Sequence, residues 1–298
     1  IAITTEVGQQ HRPAVASDGA RIRLASTTAR LAIRVQATPA TNRPCFIDAY
    51  VGDTYAGSAR LVGGLPVELL LFEGRGGALN PLTIYLPNNH EIRVLAVGVD
   101  PGATLRPPPA FARPQPIVCY GSSVMQGTGS DHPGTTYPAV LARRLNLDFV
   151  NLGFGGAGKA EPAVVDLVKQ LDGLCFIFDL GKSYGAQTIE PYATMLASIR
   201  TAHPRAPVLC VTPIYSANEP KDAAYFEKSV RLRHLMRDAA QARRQAGDSA
   251  TFVVEGLELF GEPDQRHFRD PQHPNDAGNE LMGRRLVPLV ERLVLGKK

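Results

Sequence analysis

Two adjacent serines, Ser122 and Ser123, stand at a point in the sequence where a nucleophile could act. They follow the apolar run 117–120 and Gly121, and a helical pattern resumes only at about Tyr137. In an open α/β sheet this order puts a serine hydroxyl at the carboxyl end of a strand, where such folds bind their ligands. A serine in this turn is therefore a candidate nucleophile.

A serine hydroxyl is a poor nucleophile until a base takes its proton, and the base needs a third group to hold its ring. Asp270 and His273 supply such a pair, because a D-x-x-H spacing ahead of a helix lets the carboxylate reach Nδ1 while Nε2 faces outward. The alternative is that both residues only cap the helix that begins near Asn275. The spacing alone leaves both interpretations open.

Glycines crowd the turn after the next predicted strand, at Gly153, Gly155, Gly156 and Gly158. Such turns offer free backbone N–H groups, which an acyl-transfer site needs in order to stabilise a developing oxyanion. For any single glycine, a tight β-to-α turn is the better explanation. For a cluster of glycines beside a serine-bearing strand, a catalytic role is the better explanation.

The elements that would position these residues show two patterns. Runs with a period near two, such as 30–35, 81–86 and 91–99, alternate with turn residues and predict an antiparallel β-sandwich. We place this jelly-roll-like module at 1–105 and a proline-rich linker at 106–116. Such a module can bind carbohydrate, shape the entrance to a neighbouring site, or only stabilise the enzyme.

After the linker the pattern changes to apolar strands that alternate with amphipathic helices. The strands are predicted at about 117–120, 148–152, 174–179, 207–212 and 251–256, and the helices at about 137–146, 161–171, 189–202, 223–246 and 276–295. This alternation predicts a parallel sheet covered on both faces. Residues 117–298 are therefore predicted to form one three-layer α/β domain.

The composition excludes several classes of protein. The net charge is only +4, and no basic stripe is interleaved with aromatic residues, so nucleic acid is not an expected partner. The longest apolar runs are far shorter than the roughly 18 residues that span a bilayer. Without metal-ligand or phosphate-loop motifs, we expect catalysis without a metal or organic cofactor. The first residue is Ile1, so a segment such as a signal peptide can have been removed, which leaves cytoplasmic and exported proteins both open.

Other reactive side chains are interpreted as structural. The cysteines lack a C-x-x-C pair and predict buried, inert thiols at Cys45, Cys119, Cys175 and Cys210. Histidines without a partner at ligand spacing are interpreted as surface or helix-end residues at His132, His203, His234 and His267. The arginines of the longest helix predict a solvated face at Arg231, Arg233, Arg237, Arg243 and Arg244.

Three stretches together resemble the sequence blocks of the SGNH, or GDSL-type, hydrolase superfamily. They read Tyr-Gly-Ser-Ser-Val-Met-Gln-Gly at 120–127, Asn-Leu-Gly-Phe-Gly-Gly-Ala-Gly at 151–158, and Asp-Pro-Gln-His-Pro-Asn-Asp-Ala-Gly at 270–278. They are especially similar to the branch with G-x-S-I-x-Q-G, an N-L-G-F-x-G-x-G turn and D-x-x-H-P-N-D-x-G, in which a β-rich N-terminal module is also expected. The resemblance implies an SGNH-hydrolase-like, flavodoxin-like sheet.

By that resemblance Ser123 is the nucleophile, His273 the general base and Asp270 its orienting partner. The backbone amides of Ser123 and Gly156 would line the oxyanion hole. Ser122 stands where the better-known motif has aspartate, a position that shapes the loop. Candidate substrate contacts are Ser122, Lys182 and Asp131.

The sequence departs from the family after the third predicted strand of the α/β domain. The family expects an asparagine there as a further oxyanion donor, and this chain has Ser183 in Gly-Lys-Ser-Tyr. A hydroxyl donates from a shorter arm, and losing one such donor typically costs about 2.7–4 kcal/mol. Either Ser183 still donates, or Lys182 swings in, or the enzyme is slow or tuned for another acyl acceptor.

The resemblance implies a serine esterase that cleaves a short acyl group, such as acetyl, from a sugar or small polyol through an acyl-enzyme. An acyltransferase that passes the acyl group to an alcohol would use the same residues. A third interpretation is a catalytically weak glycan-binding protein, which the missing asparagine supports. The retention of Ser123, Asp270 and His273 together argues against it. The expected partner is a small-molecule ester, including acylated carbohydrate.

Overall fold

Antiparallel strands make up the N-terminal part of the protein, whose computed structural model describes residues 18–38, 45–61, 63–185 and 188–297. In chain order they are β1 (Arg21–Ser26), β2 (Leu31–Thr38), β3 (Phe46–Val51), β4 (Thr54–Arg60), β5 (Val67–Phe72), β6 (Asn80–Tyr85), β7 (Glu91–Val99) and β8 (Leu105–Arg106). They form a five-stranded sheet in the order β4-β3-β6-β1-β8 and a three-stranded sheet in the order β5-β2-β7. The prediction of an antiparallel N-terminal region is confirmed, and we call it the β region.

Strand β2 shows how alternating residue types build the core of the β region. Leu31, Ile33 and Val35 are buried, whereas Arg34 is exposed. Because successive side chains of a strand point to opposite faces, this apolar set packs on one side, against buried residues of β3 and β6 in the other sheet. The core therefore lies between the two sheets.

A parallel sheet with helices, which we call the α/β region, follows from residue 117. Its strands are β9 (Ile117–Gly121), β10 (Phe149–Gly153), β11 (Cys175–Asp179), β12 (Val208–Val211) and β13 (Thr251–Val254). Its helices are α1 (Ser123–Gln126), α2 (Tyr137–Leu145), α3 (Pro162–Lys169), α4 (Gly181–Tyr184), α5 (Glu190–Ala202), α6 (Ala223–Gln245), α7 (Gly256–Leu259) and α8 (Asp276–Leu293), with 3₁₀ turns at Pro133–Thr135 and Glu262–His267. The strand order β10-β9-β11-β12-β13 is that of flavodoxin-like sheets.

Helices cover both faces of this sheet, which confirms the predicted layers. On one face, Ile117 and Cys119 of β9 pack with buried residues of α2 and α8. On the other face, Val118 and Tyr120 pack with buried residues of α3, α5 and α6. The near-continuous apolar character of β9 follows from this burial on both sides.

The predicted long elements of the α/β region all occur, with ends that differ by at most two residues. The short helices α1, α4 and α7 were not predicted, and the helix at Ser123–Gln126 lies where no helical pattern was expected before Tyr137. Each has only 4 residues, too few to display a 3.6-residue period.

The proline-rich connection between β8 and β9 contacts both regions. Arg23 of β1 donates to the Pro109 carbonyl at 2.9 Å and lies 3.7 Å from the centre of the Phe111 ring. The amide of Ala112 donates to the carbonyl of Asn146 at the end of α2, at 2.8 Å. This connection is therefore bonded both to the β region and to the α/β region.

Two further sequence predictions can be compared with the structure. The cysteines are free and buried, as predicted, at Cys45, Cys119, Cys175 and Cys210. Within the described ranges, no helix combines the length and apolar composition needed to cross a membrane.

Candidate active site

Ser123 lies in a sharp turn between β9 and α1, as the first residue of the helix. Strand β9 ends at Gly121, and Ser122 between them has an extended backbone. The Ser122 amide donates to the carbonyl of Asp179 at the end of β11, at 2.9 Å, which ties the turn to the neighbouring strand. The hydroxyl of Ser123 therefore stands at the carboxyl edge of the sheet, where parallel folds bind ligands.

The structure brings Ser123, His273 and Asp270 together in one hydrogen-bonded chain. The Oγ of Ser123 is 2.8 Å from Nε2 of His273. Nδ1 of the same ring is 2.8 Å from Oδ2 and 2.9 Å from Oδ1 of Asp270. When Nδ1–H donates to the carboxylate, Nε2 is left to accept the serine proton. This arrangement can activate the hydroxyl as a nucleophile.

Asp270 is held as an anion by its surroundings. Its Oδ1 also accepts the backbone amides of Gln272 and His273, at 2.9 and 3.0 Å. Partial burial tends to raise the pKa of Asp270, but the hydrogen bonds from His273 and these amides outweigh it and keep the pKa below its ordinary value. Helix α8 is capped instead by Asn275, whose Oδ1 accepts the Gly278 amide at 3.1 Å. The Asp270 carboxylate is thus bonded to the imidazole of His273 and does not cap the helix.

The glycine-rich turn after β10 passes directly beside the nucleophile. A Cβ on Gly153 would lie 2.2 Å from the amide nitrogen of Gln126, so only glycine fits there. A Cβ on Gly155 would lie 3.8 Å from Cβ of Ser123. Gly156 has φ +75°, a left-handed conformation that favours glycine. Among the described residues, the backbone amides of Ser123 and Gly156 have no hydrogen-bond acceptor.

Gln126 connects this turn to the β region, a role that the sequence analysis missed. Its Oε1 accepts the Gly155 amide and its Nε2 donates to Oδ2 of Asp18, both at 2.8 Å. Asp18 also accepts the amide of Asn89 at 2.7 Å. Desolvation raises the pKa of Asp18 to about 7, although these hydrogen bonds lower it in part. Gln126 belongs to the nucleophile block of the sequence, which was the available signal.

The remaining predicted site residues lie in different surroundings. Ser183 is half-buried on α4, after β11, whose Asp179 pairs with Gly121 of β9. The backbone of Lys182 belongs to α4, and its side chain lies outside the described part of the structure. Ser122 is fully buried inside the turn, and its hydroxyl has no hydrogen-bond partner among the described residues.

Asp131 and His132, on the loop between α1 and α2, are each bonded to a side chain from another part of the protein. Asp131 is half-buried and accepts from Nη1 of Arg269 at 2.9 Å. His132 was expected to be a surface or helix-end histidine, and this was wrong, because its side chain is partly buried and bonded to the β region. Its Nδ1 is 2.7 Å from Oδ1 of Asp48 on β3, and its ring stacks on Phe46 at 4.3 Å. The hydrogen bond to Asp48 raises the pKa of His132.

Asp48 and Asp276 together fix this loop. Asp48 is fully buried and also accepts the Gly134 amide at 2.9 Å. Asp276, at the start of α8, accepts the amide of His132 at 3.0 Å and the hydroxyl of Thr135 at 2.7 Å. The loop after the nucleophile is therefore held from the β region on one side and from the His273 segment on the other.

A buried ion pair supports the segment that carries Asp270 and His273. Arg233, which was wrongly assigned to a solvated helix face, is 5% exposed and pairs with Glu219, with Nη1 3.0 Å from Oε2. It also donates to the carbonyl of Pro213 at 2.9 Å. The loop that it holds reaches the segment of Asp270 and His273, because the hydroxyl of Ser216 donates to the carbonyl of Pro271 at 2.9 Å.

No metal centre accompanies these groups within the described residues, where His, Cys, Asp and Glu side chains nowhere form a group of three or more that could hold an ion. A base-activated hydroxyl beside unpaired backbone N–H groups suits acyl transfer.

Comparison with known sequences gives one family. Residues 114–291 match the sequence profile of the GDSL-like Lipase/Acylhydrolase family. The matched range starts just before β9 and contains Ser123, Asp270 and His273. A search of curated protein sequences finds no significant match.

Solved structures share the fold at low sequence identity. A protein described as a GDSL-like lipase, from Bacteroides ovatus ATCC 8483, is 22% identical with a TM-score of 0.85, covering 99% of this chain and 90% of that one. The salicylyl-acyltransferase SsfX3 from a tetracycline biosynthetic pathway is 23% identical with a TM-score of 0.78, covering 94% and 85%. A family two carbohydrate esterase from Clostridium thermocellum, in complex with cellohexaose, is 15% identical with a TM-score of 0.71, covering 92% of each chain. The likeness includes the β region.

Proposed function

This chain belongs to the GDSL-like lipase/acylhydrolase family, and on that premise we propose that it is a serine esterase that cleaves carboxylic esters through an acyl-enzyme on Ser123. The observation that carries the proposal is the hydrogen-bonded chain from Ser123 through His273 to Asp270, with both distances at 2.8 Å. This arrangement supports base-activated acyl transfer, which needs a hydroxyl bonded to a base and the base bonded to an acid.

In the first half of the reaction, Oγ of Ser123 attacks the ester carbonyl carbon while Nε2 of His273 takes its proton. The tetrahedral intermediate collapses when the bond to the alcohol oxygen breaks, and His273 gives the proton to that oxygen. In the second half, His273 takes a proton from water, which attacks the acyl-enzyme, and returns the proton to Ser123. Asp270, ionised at neutral pH, stabilises the imidazolium formed in both halves.

The oxyanion of both intermediates would accept hydrogen bonds from the backbone amides of Ser123 and Gly156. Two features support this assignment. These amides have no other acceptor among the described residues, and a Cβ built on Gly156 would have no atom within 4 Å, so there is space beside this residue. Ser183 would supply the third donor from α4. A side-chain amide normally provides that donor in this family, so a shorter hydroxyl arm predicts a weaker oxyanion hole.

We propose short acyl groups on a sugar or small polyol as the substrate class. The carbohydrate esterase from Clostridium thermocellum, which has the same fold and was solved with cellohexaose, supports this choice. The salicylyl-acyltransferase of the same fold supports an acyltransferase as the second candidate. In that case an alcohol replaces water in the second half-reaction, and the same residues serve.

The test is hydrolysis of p-nitrophenyl acetate, butyrate and octanoate, with mass spectrometry of the trapped acyl-enzyme. We expect turnover to be highest for acetate and to fall by at least about 10⁴-fold in Ser123→Ala, since such nucleophile losses are of that order. Ser249→Ala, which removes an exposed hydroxyl far from the site in sequence, serves as the matched control. Turnover that persists in Ser123→Ala would disprove the assignment. An acyl adduct that is released only when an alcohol is added would establish the acyltransferase.

A further inference from the structure

The turn at 154–159, after β10, has one backbone amide without an acceptor among the described residues, and that amide belongs to Gly156. The amide of Phe154 donates to the carbonyl of Gly121 at 2.9 Å, and that of Ala157 donates to the carbonyl of Phe154 at 3.0 Å. The other three amides donate to side chains and belong to Gly155, Gly158 and Lys159. Side chains therefore help to determine which amide of this turn stays unpaired.

Gln126 binds the amide of the residue before Gly156. It is fully buried at the end of α1, and its Oε1 accepts the Gly155 amide at 2.8 Å. Its Nε2 donates to Oδ2 of Asp18 at 2.8 Å, and this acceptor determines which end of the carboxamide faces the turn. Because both ends of the carboxamide are bonded, Gln126 holds the Gly155 amide in one orientation.

Glu161 binds two amides on the other side of Gly156. Its Oε1 accepts the Gly158 amide at 3.1 Å, and its Oε2 accepts the Lys159 amide at 2.8 Å. Oε2 also accepts the hydroxyl of Tyr120, a fully buried residue of β9. Burial raises the pKa of Tyr120, so the hydroxyl keeps its proton and donates to this carboxylate. Glu161 is therefore anchored to the strand that leads to the nucleophile.

The turn needs such support because three of its six residues are glycines. Glycine populates the widest range of backbone conformations, so an unsupported turn would present the Gly156 N–H in many directions. A donor to an oxyanion is most effective when it is oriented before the reaction begins. Holding the amides on both sides of Gly156 supplies this orientation.

We propose that Gln126 and Glu161 are positioning residues of the oxyanion hole, which bind amides on either side of Gly156 and leave its N–H directed at the oxyanion. The inference rests on the proposed esterase function and adds to it two side chains that act through the turn. Gln126 belongs to the helix that begins at Ser123, and Glu161 is bonded to the strand before that helix. The segment that carries the nucleophile therefore also holds the oxyanion donor in place.

The first test is Gln126→Met, which has a similar shape and lacks both polar ends of the carboxamide. Without its acceptor the Gly155 amide is released and Gly156 can reorient, so we expect kcat for p-nitrophenyl acetate to fall about 100-fold, as when an oxyanion donor is lost. KM should stay within about twofold, because formation and hydrolysis of the acyl-enzyme need the same donor. Both constants are measured well below the Tm of each variant.

Gln170→Met is the matched control for Gln126→Met. Gln170 is exposed at the far end of α3, where its Nε2 donates to the carbonyl of Asp166 at 3.0 Å. This variant should keep the kcat of the wild type. A Gln126→Met protein with a lower Tm and the wild-type kcat would show that Gln126 is only structural. A loss confined to KM would also overturn the positioning role.

A double variant tests rescue. Gln126→Glu/Asp18→Asn exchanges the carboxamide and the carboxylate, so the new carboxylate accepts the Gly155 amide and the new carboxamide donates to it. The carboxamide oxygen at position 18 can still accept the Asn89 amide, as Oδ1 of Asp18 does at 2.7 Å. We expect this variant to recover most of the kcat that Gln126→Met loses. Recovery of the Tm without recovery of kcat would contradict the proposal.

Glu161→Gln tests the other side of the turn and replaces Gln126→Met if that variant does not fold. The carboxamide keeps one acceptor oxygen where the carboxylate accepts from Gly158, Lys159 and Tyr120. We therefore expect a smaller loss, about tenfold in kcat, with KM little changed. An unchanged kcat in this variant would remove Glu161 from the proposal.

An NMR measurement keeps this inference separate from the proposed function. In ¹H–¹⁵N spectra the Gly156 amide signal should shift in Gln126→Met and return close to its wild-type position in the double variant. An unchanged Gly156 signal in Gln126→Met would overturn the positioning role whatever the kcat. If the wild type hydrolyses no ester, the esterase proposal fails, and these spectra alone decide whether Gln126 positions Gly156. If esters are hydrolysed and Gln126→Met matches the wild type in kcat, only the positioning role fails.

Discussion

Polar side chains are arranged differently in the α/β region and in the β region. In the α/β region, Ser123, His273 and Asp270 are hydrogen-bonded to one another at the open edge of the sheet. In the β region, Asp48 and Asn88 are buried where the two regions meet, the first with its oxygens paired and the second with its amide unpaired. The comparison teaches that the α/β region carries the proposed triad, whereas the β region holds the loops around it.

Asp48→Ala is expected to have the largest effect among the variants that test this division of roles. Removing Asp48 leaves His132 and the Gly134 amide without their buried acceptor, and breaking a buried pair in this way costs about 3–5 kcal/mol. We expect the Tm to fall by roughly 10 °C and kcat/KM to fall with it, because the loop beside the nucleophile loses its anchor. Differential scanning calorimetry and ester hydrolysis below the Tm measure both.

Asp53→Ala is the matched control for Asp48→Ala. Asp53 also joins the two regions, through a 3.0 Å ion pair with Arg143, but 59% of its side chain is exposed. Exposed pairs contribute about 0–1 kcal/mol, so this variant should leave the Tm and the activity nearly unchanged. Equal losses in both variants would show that any contact between the regions matters and that Asp48 has no special role.

A smaller effect, confined to the α/β region, is expected for Ser183→Asn. The longer side-chain amide should donate better to the oxyanion, and we expect kcat to rise about tenfold with KM little changed, a fraction of the usual value of such a donor. Ser183→Ala should lower kcat if the hydroxyl already donates. Steady-state kinetics with p-nitrophenyl acetate measures both, and a kcat that is the same in all three proteins would remove Ser183 from the oxyanion hole.

The smallest expected effect concerns the pH dependence of stability and depends on Asp18 of the β region. Desolvation raises the pKa of Asp18 from 3.8 to about 7. Between these values the folded protein holds a proton that the unfolded chain has lost, so the free energy of unfolding decreases as the pH rises through this range. Asp18→Asn cannot titrate, so its drop in Tm from pH 5 to pH 8 should be about 5 °C smaller than that of the wild type. An equal drop in both proteins would contradict the shifted pKa.

The sequence was sufficient to predict those features whose signal is local or repeated along the chain. The period of the residues predicted the antiparallel region and the parallel sheet. The D-x-x-H spacing of Asp270 and His273 left a hydrogen-bonded pair and a helix cap both open, and the structure shows the hydrogen-bonded pair. The signal fails where partners are distant along the chain. His132 has its acceptor at Asp48, 84 residues earlier, and no spacing rule connects them. Arg233 follows the polar period of a surface helix, but its buried partner Glu219 lies in an irregular loop.

The contact of Asp48 with the loop after the nucleophile constrains how this chain can be recombined with its relatives. Exchanging the β region for that of another family member would remove Asp48 while leaving its partners His132 and Gly134 behind. A workable chimera must therefore transfer β3 and the 131–134 loop as a unit, although they are far apart in sequence. A simple exchange at the proline-rich connection would therefore break the contact between Asp48 and this loop.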